Sequence, residues 1–68
     1  MKRVLAIEGY TLDLPTKGKK TIMVLSSDNT VVQFEELNRA EYPVLLHAID
    51  NDPQIEKYVV ADHNGAFL

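Results

Sequence analysis

The residues of this chain most capable of chemistry are few. Lys17, Lys19 and Lys20 cluster around Gly18 in the run Thr16-Lys17-Gly18-Lys19-Lys20. Three ammonium groups beside a glycine suggest contact with a phosphate or an acidic partner. A nucleotide-hydrolysing loop needs the longer G-x-x-x-x-G-K-[ST] pattern between a strand and a helix, so that backbone N–H groups and the helix N-terminus converge on phosphate. Here one glycine leads into a β-branched run, which argues against hydrolysis. The bland alternative is a solvated hairpin loop.

Lys2 and Arg3 extend the basic set, and Tyr10 lies between the two groups. Lysines neutralise phosphates and an aromatic stacks a base, so this third of the chain is the candidate nucleic-acid face. The sequence pI of about 5.1 opposes that reading. So does the lack of an aromatic platform, since of five aromatics only Tyr10 lies in the basic third. Nucleic acid is therefore a disfavoured partner. Lys17, Lys19, Lys20, Tyr10 and Tyr42 stand as the candidate binding residues. Tyr42 is included because tyrosine offers large contact area at low entropic cost.

His47 and Asp50 lie three apart on one candidate helix and are spaced to pair. With Asp52, or with Asp62-His63, they would make an acid/base or hard-metal constellation, but none has the spacing of a known motif. Ser26 and Ser27 sit in a turn without a G-x-S-x-G elbow. No catalytic set, metal site or cofactor is called for, and the expectation is a protein that is not an enzyme.

Sixty-eight residues form a single expected domain, 1–68. A chain of this size buries only about 60% of its unfolded surface and commonly relies on disulfides, a metal or oligomerisation. There are no cysteines, which removes disulfides and thiolate sites. No apolar run approaches a signal sequence or a membrane span, so a cytoplasmic protein without membrane contact is expected. Charge is uneven. Residues 1–20 hold five bases against two acids, and residues 21–68 hold two bases against eight acids. Such asymmetry suits a charged partner or a second copy.

The elements that must position these residues centre on Thr21–Leu25, an unbroken apolar run between turn signals that reads as a buried strand covered on both faces. Asp28-Asn29 turns the chain, and 30–34 returns as a strand. Upstream, 2–8 reads as a strand, interrupted at Gly9, and 10–14 alternates as another until Pro15. Glu35–Asn51 is the helical candidate. Pro43 places the main helix start near Ala40–Tyr42, and Asn51-Asp52-Pro53 ends it. Residues 54–61 form a further strand. Asn64-Gly65 predicts a hairpin turn into Ala66-Phe67-Leu68, with Phe67 docked on the core or on a partner.

These elements predict an α+β fold: an antiparallel sheet of four or five strands in the order β-β-β-β-α-β, with one helix on a face. A small half-open barrel is the alternative. Along the helix the apolar residues span roughly 200°, about twice what one sheet needs. Val44, Leu45, Leu46 and Ala48, with Phe67, are the candidate oligomer interface, and a homodimer is favoured. The expected function is a self-associating, non-catalytic module that occupies an unknown protein partner, in the manner of a phage or mobile-element inhibitor. The alternatives are an oligomeric binder of a phosphate-bearing ligand and a nucleic-acid binder.

Overall fold

A computed structural model describes residues 2–65. The element order is β1 (Lys20–Ser26), β2 (Val31–Leu37), α1 (Glu41–Asp50) and β3 (Ile55–Ala61). β1 is the central strand, antiparallel to both neighbours, in the order β2-β1-β3. Its residues Thr21 to Val24 are all buried, as an apolar run without alternation requires. The hairpin turns where Asp28-Asn29 predicts. Asn29 takes the left-handed backbone at φ 68°, and the Asp28 carboxylate accepts the Thr30 N–H at 3.1 Å.

Alternation along the sheet sorts its side chains into two cores. Ile22, Val24, Tyr58 and Val60 of the sheet form the first core with Leu37 at the end of β2 and Ile49 of α1. Tyr42, Leu45, Leu46 and Ile49 form the helix stripe against this face. Their i, i+3, i+4, i+7 spacing is the ordinary one for a helix resting on a sheet. Met23 and Val59 point to the other face and pack with Ile7.

That second face departs from expectation. Residues 2–8 and 10–14 do not add two ladder strands, and among the described residues the sheet has three strands rather than four or five. The open three-stranded sheet also replaces the half-open barrel. The N-terminal segment makes a single parallel bridge to the β3 edge: Val4 N–H donates to Tyr58 C=O at 2.8 Å and Tyr58 N–H to Lys2 C=O at 3.0 Å. It then crosses the sheet as an irregular strap. Ile7 seats on Met23 and Val59, and Val4 and Leu12 pack around it. Apolar alternation reports which side chains can be buried, and the strap meets that demand in part: Ile7 is buried and Val4 and Leu12 half-buried, while Leu5, Tyr10 and Leu14 stay exposed. Gly9, at φ 86°, turns the strap where a bulge is expected.

β2 runs to Leu37, three residues beyond the predicted strand end. Between Lys20↔Leu37 and Ile22↔Phe34 the register slips by one residue, a β-bulge on β2. The bulged Glu36 has φ 55°, uncommon for a residue with a Cβ. Two residues on, Asn38 opens the helix with a reciprocal pair. Its Oδ1 accepts the Glu41 N–H at 2.8 Å, while Glu41 Oε1 accepts the Asn38 N–H at 3.1 Å. This is a capping box, and Tyr42 N–H bonds to Asn38 C=O at 3.0 Å in helical fashion. Pro43 falls in the first turn of α1, where its missing N–H is tolerated. After β3, Gly65 closes a turn onto Asp62 C=O at 3.0 Å. The expected strand 66–68, with the docking expected of Phe67, lies outside the described residues.

Candidate functional site

The lysine loop is a turn closed by Lys19 N–H on Thr16 C=O at 3.0 Å, with Gly18 at φ 85° supplying the left-handed corner. Its start is clamped to the β2 bulge. Thr16 N–H donates to Glu36 Oε1 at 2.9 Å, and the Thr16 hydroxyl donates to Oε2. Those two bonds, the hydroxyl's first, hold the Glu36 carboxyl below its ordinary value, with a smaller contribution from the charge of Lys19. An acid therefore already sits among the loop ammoniums. Lys20 lies elsewhere, half-buried, with its ammonium 5.0 Å from the centre of the Tyr42 ring. That cation–π contact joins two of the candidate binding residues at the N-terminal end of α1. Lys17 is exposed and projects from the turn.

The other two bases of the N-terminal third stand at the opposite end of the helix. Lys2 Nζ donates to Ile49 C=O at 3.1 Å and to Asp52 C=O, carbonyls at the C-terminal end of α1. A cation there satisfies orphan acceptors and complements the helix dipole. Arg3 bridges to β3 and is half-buried. A ten-residue helix is about 15 Å long, so Lys2 and Lys20 are separated by roughly that distance. The structure does not gather Lys2, Arg3, Lys17, Lys19, Lys20 and Tyr10 into one face. Tyr10 lies on the strap, where it lines a groove with Leu5, Leu12 and Leu14.

The His47–Asp50 pairing is replaced by two other contacts. Asp50 Oδ1 accepts the Tyr58 hydroxyl at 2.7 Å, and the Asn51 side chain donates to His47 C=O at 2.8 Å beside the imidazole. Burial, and then this bond to Asp50, push the Tyr58 phenol up to about 12. Asp62 Oδ1 accepts Asn64 N–H in its own turn. No three His, Asp or Glu side chains among the described residues are placed to hold a metal ion. No helix among them is long and apolar enough to cross a membrane.

An unfilled surface lies between α1 and β2. Because the helix stripe is Tyr42, Leu45, Leu46 and Ile49, a groove of about 260 Å³ opens on the β2 side. Leu45, Ala48 and Ile49 form its helix wall, Asp52 lines it just beyond the end of α1, and Val32 and Phe34 form its strand wall. Val44, one turn before Ala48, is 71% exposed, and Val32 is 42% exposed. Of the predicted oligomer residues, then, Leu45 and Leu46 pack on the core, while Val44 and Ala48 stay exposed. Sequence reasoning missed Val32, Phe34 and Asp52 as groove residues. They come from separate elements, and no local pattern links them. A second groove of about 210 Å³ lies on the strap side, rimmed by Leu5, Tyr10 and Leu14, which are 72%, 53% and 55% exposed. No family model, no curated protein and no solved structure matches this chain.

Proposed function

We propose that this protein is a non-catalytic binding module that acts by occupying a protein partner, and that it self-associates. The observation that carries the reading is the α1–β2 groove, an apolar channel whose lining residues Val32 and Ala48 are left in water by the chain's own packing. Small-molecule pockets usually enclose about 300–1,000 Å³. A groove of about 260 Å³ suits one or two anchoring side chains of a macromolecule better than a whole ligand.

Self-association uses the opposite side of the sheet. Leu5, Tyr10 and Leu14 project together from the strap, and a two-fold pairing would cover them with one patch repeated. The strap already covers Met23 and Val59, so an uncovered sheet face no longer motivates the dimer. The exposed strap residues do.

Two experiments test the two halves. Capture from a lysate is compared between the native chain and Ala48→Arg, a substitution at an exposed groove position that should leave the fold intact. A protein retained by the first and lost by the second supports partner occupancy, and identical capture profiles refute it. Light scattering after size exclusion tests the other half. A mass of 7.7 kDa at every concentration refutes self-association, and a larger mass reduced by Leu5→Glu supports it.

A further inference from the structure

We infer that the α1–β2 groove takes a cationic amphipathic segment of its partner, with apolar anchors in the groove and Lys or Arg side chains on its rim. The inference rests on the reading of the groove as the partner site and adds the partner's chemistry. The groove supplies the apolar half of the argument, and charge supplies the other. Glu41 stands four residues before Leu45 and seven before Ala48, on the side of α1 that lines the groove, so Glu41, Asp52 and the turn residue Asp28 are the acids beside it, whereas Glu36 is held by Thr16 and Asp50 by Tyr58 away from it. Against these three carboxylates stand Lys2 and Lys20, which approach the two ends of the helix. Asp52 lines the groove itself. Asp28 lies in the turn directly after Ser26, another lining residue. An acidic or uncharged amphipathic segment would fill the groove equally well but would lose the attraction at its rim. A second copy presenting the same face would set like charge against like.

The geometry also supplies a way to remove the charge while keeping the fold. Asp28 accepts Thr30 N–H, Asp52 accepts Gln54 N–H at 2.9 Å, and Glu41 accepts Asn38 N–H. In each case the carboxylate oxygen can be replaced by an amide oxygen. The triple variant Asp28→Asn, Glu41→Gln, Asp52→Asn keeps every acceptor and removes three negative charges.

The test uses three fluorescent synthetic helical peptides of 14 residues, measured by anisotropy against the full chain. One is amphipathic Leu/Lys, one amphipathic Leu/Glu, and one has the Leu/Lys composition scrambled to destroy the apolar stripe. The expected result is saturable binding of amphipathic Leu/Lys alone. That binding should weaken about tenfold in the triple variant and lose most of its salt dependence. It should be abolished by Ala48→Arg, which puts bulk into the groove from an exposed position. Equal binding of the Leu/Glu peptide, still blocked by Ala48→Arg, overturns the cationic partner and leaves the groove reading standing. Binding of the scrambled peptide, or binding indifferent to Ala48→Arg, places the contact outside the groove and overturns the inference. So does failure of the Leu/Lys peptide to bind at 0.1 mM.

Discussion

Ile7→Ala tests whether the strap is what covers the second face of the sheet. Ile7 is 4% exposed and packs on Met23 and Val59, themselves 4% and 5% exposed. The substitution removes three carbon groups, worth about 2.4 kcal/mol in transfer alone at about 0.8 each. A cavity term adds to this wherever the site cannot collapse, and buried Ile→Ala changes cost about 2–5 kcal/mol in all. The strap is held by few backbone bonds and can settle inward, which favours the lower half, about 3 kcal/mol. A 68-residue chain has a total stability of roughly 3–10 kcal/mol, so this is a large share of it. At about 4–8 °C per kcal/mol for a domain of this size, the melting temperature should fall by about 12–24 °C. Glu8→Ala, on the same strap at an exposed position outside the Leu5–Tyr10–Leu14 patch, is the control and should stay within about 0.5 kcal/mol. Thermal melts by circular dichroism at two protein concentrations provide the assay. A shift for Ile7→Ala no larger than that of the control would refute the strap as the cover. A melting temperature that rises with concentration alongside that result would assign the cover to a second copy.

Asn38→Ala should cost about 1 kcal/mol by removing the capping box, measured by urea denaturation, while Glu41→Gln should cost much less. Thr21 is fully buried, and its hydroxyl has no partner among the described residues. Thr21→Val should therefore stabilise the fold by about 1 kcal/mol, and a destabilisation would show that the hydroxyl is satisfied. Glu36 ionises below its ordinary 4.5 because Thr16 bonds the charged form, so the clamp's contribution is present above pH 4.5 and is lost as pH falls through the folded value. Carbon-detected NMR titration should show this depression, and Thr16→Val should return it toward 4.5. The Tyr58 phenol, raised from 10 to about 12, stabilises the fold fully below pH 10 and loses that effect as pH rises from 10 to 12. Ultraviolet titration should show one tyrosine ionising last, and earlier in Asp50→Asn.

Local chemistry alone determined the parts of this protein that neighbours in sequence decide. The β1–β2 hairpin was legible because β-branched residues flank Asp28-Asn29, and Asn29 tolerates the left-handed corner that the turn needs. β3 and the helix stop at Asn51-Asp52-Pro53 were legible for the same kind of reason. The helix start carried a readable signal in Asn38-Arg39-Ala40-Glu41, a capping-box spacing that Pro43 overshadowed. The helix's surplus apolar arc was also visible, and Val44 and Ala48 are the residues left over.

Tertiary structure decided the rest. Period-two alternation in 10–14 marks sides that can be buried, and only the arrangement of the other elements decided that Leu12 packs on the core from a strap while Tyr10 and Leu14 stay exposed. The five bases of the N-terminal third are neighbours in sequence, but the bridge to β3 carries Lys2 and Arg3 to one end of α1 and the hairpin carries Lys20 to the other. The groove joins β2 to α1 and has no linear signature, because its walls exist only where the helix stripe leaves Val32 and Phe34 of β2 incompletely covered.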